Sequence, residues 1–332
     1  MTRADTDPRV FLLLLVLPGR FGRFLTAGLI ALVLFAVFGS TGIFLEPNAP
    51  RGVVLFFIAI LAYIIPTLSW IAARAEQCYQ RLLPLVPAGM AANLTGFDRR
   101  PLAWQVISAG IGILCGCLHT TLLVFNRSLF YGEDFWVSWI VLIGSFLVWI
   151  VVSVSVAVLF VISFKFAALA RLVTVDLFDT GSLVSFAHLA SALALAMVGA
   201  QAALPLMLIQ GFTVSAFLPG WLGLFIPMLL LMAIPMWAVH KRIVHAKQEE
   251  IRRINKAVSD TAAAHDFPDG KGDPARKTEA LMPLLVYRRE LQSVSEWPFD
   301  LNFYTRVLLY LLIPPLTWFG AAVIEVGIER YL

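Results

Sequence analysis

Two short patterns in this 332-residue chain bring together side chains that could do chemistry. The first is Cys115-x-Cys117-x-His119, thiols and an imidazole of the kind that hold zinc. On a helix, residues two apart point about 200° away from each other, so only Cys115 and His119 share a face, and two ligands do not hold zinc. Gly112-x-x-x-Gly116 in the same stretch reads instead as a close contact between helices. The second is Asp176-x-x-Asp179, two carboxylates at a spacing suited to a hard divalent cation. Capping of the following helix by Asp179, Thr180 or Ser182 accounts for the same residues.

Asp176 and Asp179 resemble the paired aspartates with which membrane-embedded lipid transferases hold Mg²⁺ at the inner surface, and the resemblance implies an enzyme of lipid headgroups. The further aspartates of such sites are absent nearby. A haem between membrane helices needs paired histidines at one depth. His119 falls toward the outer end of its span and His188 toward the inner start of another, so no such pair is expected. Serine-nucleophile signatures, phosphate-binding loops and zinc-protease motifs do not occur, and no motif calls for a cofactor. Three cysteines, Cys78, Cys115 and Cys117, make no disulfide framework.

The elements that must position these residues are membrane helices. With 60% hydrophobic and 14% charged residues, the chain is far from the roughly 45–50% apolar and 25% charged of a soluble domain. Seven uncharged stretches are near the ~20 residues needed to cross a bilayer: 24–44, 53–73, 102–125, 135–164, 183–209, 221–239 and 307–324. The run 10–17 is too short to cross, is cut by Pro18-Gly19, and reads as an interfacial or re-entrant helix. Lys and Arg number four, one, four, one, two, none, twelve and one in the successive segments outside the spans. That alternation predicts an all-α, polytopic integral membrane protein with seven transmembrane helices, N-terminus inside and C-terminus outside. A bacterial inner membrane is the expected location. The net charge of +4 is accounted for by lipid and topology, and no nucleic acid is expected as a partner.

Four regions follow: an interfacial segment 1–23, a six-helix membrane domain 24–239, a cytoplasmic helical extension 240–300 with a mobile linker at 262–277, and a seventh helix with the C-terminus at 301–332. Beyond Val239 apolar residues recur at Ile243, Val244, Ile251, Ile254 and Val258, which carries span six inward as one helix for roughly 28 Å. Glu249 and Arg253 support it at i,i+4. Leu281, Leu284, Leu285, Leu291 and Val294 are expected on one face of a second inner helix, paired against the first. Lys241, Arg242, Lys247, Arg252, Arg253, Arg288 and Arg289 on this pair are the expected contacts with lipid or a cytosolic protein.

No span contains Asp, Glu, Lys or Arg, which argues against an ion-coupled carrier. The spans retain hydroxyls such as Ser145 and Ser155, which more often join helices than line a path. Pro314-Pro315 breaks the seventh span beside Thr317, a candidate gate. In arrangement alone the layout resembles the insect olfactory and gustatory receptor channels, with seven spans, the N-terminus inside, and inward extensions of spans four to six. No motif of that family occurs in Leu308 to Phe319. The resemblance implies a homo-oligomeric channel assembled through its inner helices. The other reading is a scaffold or sensor that recruits a cytosolic protein through residues 240–295.

Overall fold

The computed structural model describes residues 7–45, 49–87, 97–124, 135–210, 214–264 and 274–297, together with 305, 309, 312, 316 and 320. The chain is 84% helical and has no strand among the described residues. Its helices are α1 (Phe11–Leu14), α2 (Gly22–Gly39), α3 (Arg51–Leu82), α4 (Leu102–Val124), α5 (Phe135–Leu172), α6 (Val184–Gln201), α7 (Val214–Ala264) and α8 (Pro274–Ser293). Six of them, α2 to α7, contain windows long and apolar enough to cross a membrane. These coincide with the first six expected spans. The seventh lies outside the described residues except for Thr305, Leu309, Leu312, Leu316 and Gly320, which are helical and spaced along one stripe.

Helices α3, α5, α6 and α7 form a ring in which α3 packs on α5 and α6, and α7 closes the other side. Helix α2 lies on the outside of α3, and α4 on the outside of α5. Burial follows this order: 72% of the apolar window of α6 is buried but only 17% of that of α2. The outer helices therefore present leucine and phenylalanine to lipid, and the ring carries the core.

Local sequence explains the contacts. A Cβ on Gly112 would lie 2.6 Å from Ile150 Cα, and one on Gly116 would lie 2.7 Å from the Phe146 ring. The glycine pair thus lets α4 press its backbone against α5, as the G-x-x-x-G spacing suggests. Gly144 is where the Phe57 ring of α3 meets α5. Pro235 has no N–H for the carbonyl of Leu231 one turn earlier in α7. The Ser163 hydroxyl of α5 donates to that oxygen at 3.1 Å, so a side chain replaces the missing helical bond.

Helix α5 is 38 residues long and ends at Leu172. It thus runs eight residues past the expected span 135–164, and the segment 173–179 is not helical. Helix α7 continues as one helix to Ala264, six residues past the last apolar residue that its sequence pattern marks. Helix α8 packs along it. The expected linker 262–277 is partly helical at both ends, and residues 265–273 lie outside the described residues.

Candidate functional site at the basic end of the bundle

The two sequence patterns do not assemble into chemistry. His119 Nδ1 accepts a hydrogen bond from the Trp149 indole N–H at 2.7 Å, which ties α4 to α5. Cys115 is half-buried and Cys117 exposed. Asp176 Oδ1 accepts from the Phe178 N–H at 2.9 Å, an Asx turn, and Asp179 makes no side-chain cap for the helical turn that follows it. The Ser182 hydroxyl donates to the Asp179 carbonyl at 2.9 Å. Among the described residues no three His, Cys, Asp or Glu side chains gather to hold a metal ion. Pro314, Pro315 and Thr317 lie outside the described residues.

Two cavities lie between the helices of the ring. One, of about 60 Å³, is walled by Phe56, Phe57, Val148, Trp149 and Leu224, with His119 and Ser145 at its edge. The other, of about 30 Å³, lies among Tyr63, Thr67, Ser155, Met197 and Leu224. The Tyr63 hydroxyl donates to the Ala196 carbonyl at 3.1 Å and so joins α3 to α6. Val152 and Leu224 border both spaces. The lining is almost wholly apolar, and neither volume provides a polar path through the ring.

Polar side chains collect at one end. There the N-terminal segment is bonded to the 97–101 loop, and the 173–183 connection to Leu85 past the end of α3 and to Arg242 of α7. Val10 N–H donates to Asp98 O at 2.9 Å and Arg100 N–H to Pro8 O at 3.0 Å, a bridge of two extended segments. The buried Gln105 side chain closes it by accepting from Phe11 N–H at 2.8 Å and donating to Arg100 O at 3.0 Å. The Arg100 guanidinium is buried beside this bridge. Burial lowers its pKa from the ordinary arginine value, and the Asp98 and Asp7 carboxylates oppose that shift. Lys165 of α5 lies 5.2 Å from the Phe97 ring centroid, and Phe97 continues into an aromatic row of Tyr79, Phe166 and Phe186.

The N-terminal segment turns back at Pro18-Gly19, where Gly19 has φ +108°, a conformation side chains disfavour. A Cβ on Gly22 would lie 2.0 Å from the Leu17 carbonyl oxygen. The Thr26 hydroxyl accepts from Leu17 N–H at 2.9 Å and donates to Gly22 O at 2.7 Å, which fixes the turn against α2. Between this turn, α3 and the 97–98 loop is a cleft of about 650 Å³. It holds three guanidiniums, Arg9, Arg20 and Arg23, with Glu76, Asp98 and Ser69. Arg9 pairs with Asp98 at 3.4 Å, and Arg23 Nε donates to the Ser69 hydroxyl at 3.4 Å. In the sequence these arginines register only as topological charge. The signal that would have found the cleft is Pro18-Gly19 set between Arg9 and Arg20, a turn that must fold one basic residue back toward the others.

On the α7–α8 pair, several of the expected contact residues are engaged within the fold. Lys247, 12% exposed, donates to Gln292 O at 3.0 Å and Val294 O at 2.9 Å, and lies 3.7 Å from the Glu296 carboxylate. It thereby neutralises the carbonyl end of α8. Arg242 Nε donates to Val173 O at 3.1 Å, just past the end of α5. His240 stacks on Trp297 at 4.2 Å between ring centroids. Arg253 pairs with Glu249 and Glu250, both at 3.5 Å. Lys241 lies over the Trp237 ring, Arg252 donates along its own helix to Gln248 O, Arg288 is half-buried and Arg289 is exposed.

Helix α8 buries the face that its leucines suggest except at Leu285. Leu281, Leu284, Arg288, Leu291 and Val294 are its more buried positions, while Leu285 is 43% exposed, Met282 55% and Val286 53%. With Phe178 and Tyr287, whose rings lie 5.8 Å apart, Met282 and Val286 line an open groove rimmed by Glu279 and Glu290. The Tyr287 hydroxyl donates to Glu250 Oε1 at 3.4 Å. Its pKa is raised by desolvation and by the carboxylates of Glu250 and Asp176. No protein-family model, no curated protein and no solved structure matches this chain.

Proposed function

We propose that the protein is a seven-span scaffold of a bacterial inner membrane, N-terminus inside and C-terminus outside, that assembles with further copies of itself through α8. The observation that carries this reading is an exposed seam on α8, Ala275, Thr278, Met282, Leu285 and Arg289, at alternating spacings of three and four residues. Such spacing suits two helices packed in parallel, with a polar residue on the seam setting the register. Copies in one membrane share one orientation, so their α8 helices meet parallel and at the same height. An apolar strip on a helix beyond the membrane is otherwise a liability in water.

The small apolar cavities of the ring favour assembly over conduction through a single chain. In an oligomer a permeation path would run between copies, and ion flux from liposomes containing the assembled protein would separate a channel from a scaffold.

Cross-linking tests the seam. Leu285→Cys, with Cys78, Cys115 and Cys117 replaced by Ala, should give a disulfide-linked dimer in native membranes under mild oxidation. Leu281→Cys, on the more buried face, should not. A monomer by light scattering that also fails to cross-link at position 282 or 285 would overturn self-assembly. If the groove of that monomer bound a cytosolic protein, the reading would move to recruitment through residues 240–295.

A further inference from the structure

We infer that the cleft at the start of α2 is a binding site for the headgroup of an anionic glycerophospholipid, with its phosphate between Arg20 and Arg23 and its hydrogen-bond donors toward Glu76 and Asp98. The inference is independent of assembly through α8, because it rests on the opposite edge of the basic end.

The chemistry of the cleft selects the ligand. Arginine offers planar, paired N–H donors that match phosphate oxygens, and these interactions strengthen where water is partly excluded. Among the described residues no carboxylate pairs with Arg20 or Arg23, whereas Arg9 is held by Asp98. A phosphate would therefore supply the counter-charge the cleft lacks. Glu76 and Asp98 make the other wall an acceptor surface, suited to the hydroxyls of a glycerol headgroup. A cleft of about 650 Å³ is within the usual ~300–1,000 Å³ of small-molecule sites.

The apolar surroundings select a lipid over a soluble phosphate. Leu14 is 66% exposed, Phe21 64% and Phe24 77%, on the turn and the first residues of α2 that frame the cleft. Leu29 and Leu32 continue that exposed apolar surface along α2. Acyl chains have this surface to lie on, and a free anion gains nothing from it. Basic pockets between membrane helices at the inner leaflet bind lipid headgroups by the same combination. The Thr26 hydroxyl and the Gln105 bridge fix the backbone of the segments that carry Arg9, Arg20 and Arg23, which distinguishes the cleft from basic side chains scattered at an interface.

The full-length protein in detergent, titrated with phosphatidylglycerol, phosphatidylcholine or glycerol 3-phosphate and followed by native mass spectrometry, tests the site. Wild type should retain phosphatidylglycerol in preference to phosphatidylcholine. Arg20→Gln with Arg23→Gln should weaken that retention by at least about tenfold, on the order of one charge-assisted hydrogen bond. Arg171→Gln with Lys256→Gln, which removes the same charge at two exposed positions elsewhere, should leave it unchanged. Ala73→Trp fills the cleft without altering charge and should also abolish the preference, so a misfolded arginine variant does not decide the matter. Equal loss in the Arg171 and Lys256 variant, or full retention in Ala73→Trp, would overturn the site. Glycerol 3-phosphate competing as well as the lipid would assign it to a soluble phosphate instead.

Discussion

Pro235 leaves an acceptor inside the membrane region that the helix cannot satisfy, and a hydroxyl on another helix satisfies it. Removing that hydroxyl by Ser163→Ala should lower thermal stability in detergent by about 1 kcal/mol, the usual scale for a hydrogen bond to a buried carbonyl and for polar contacts between membrane helices. The cause can be isolated by a double-mutant cycle. Pro235→Ala restores an N–H to Leu231 O, so in that background Ser163→Ala should cost markedly less. Equal costs in the two backgrounds would show that the serine matters for packing and not for the freed carbonyl. Half of this interaction is legible in the sequence, because a proline in a membrane helix always orphans the carbonyl four residues earlier. The other half is not, since any hydroxyl on a facing helix could respond. The same limit applies to His119: its ring chemistry is visible in the sequence, but its partner, Trp149, is set by how far Gly112 and Gly116 let α4 approach α5.

At the scale of elements, α8 is held to α7 by a few polar contacts at its carboxyl end and an apolar stripe along its length. Lys247 is the centre of the first group, with one ammonium serving Gln292 O, Val294 O and Glu296. Lys247→Met keeps the aliphatic stem and removes these bonds, each worth about 1.5–3 kcal/mol to a charged donor when protected from water. Amide hydrogen exchange over 281–294 should accelerate strongly in this variant, while exchange in α3 and α6 stays as in wild type. Unchanged exchange in α8 would assign its docking to the apolar stripe alone. The sequence marks the helix, its pairing with α7 and four of the five positions expected on its inner face, and it differs at one: Leu285 is exposed, while Arg288 is half-buried. Periodicity ranks side chains by hydrophobicity, but the rotation of a helix is also fixed by its end contacts. Here Lys247, His240 and Trp297 make those contacts, and Leu285 lies exposed with Met282 and Val286. These exposed side chains are the apolar surface offered for assembly.

For the whole molecule, orientation is the property on which both proposals depend, and it rests on which end the basic residues occupy. At one end segment 8–11 is hydrogen-bonded to the 97–101 loop and Val173 to Arg242 of α7, whereas Arg51 opens α3 at the other. Six crossings bring the chain back to the end it began from, so the N-terminal segment and the α7–α8 pair share a side. Moving one positive charge outward across a membrane held negative inside costs about 2.3 kcal/mol per 100 mV. The 22 Lys and Arg of the segments on that side, twelve of them between spans six and seven, therefore favour the inner side far more than Arg51, Arg127 and Arg330 disfavour the outer one. Alkaline phosphatase, which matures only outside the inner membrane, reads this directly. Fusions after Leu45 and after Leu332 should be active, and fusions after Val173 and after Ala264 inactive. Activity after Val173 with none after Leu45 would invert the molecule, exposing the Arg20–Arg23 cleft and α8 to the periplasm and removing the basis for both proposals. Activity after Leu45 with none after Leu332 would keep the α8 seam and the cleft on the inner side but overturn the seventh crossing, returning the C-terminus inside, as Pro314-Pro315 would allow by breaking the last helix into a hairpin.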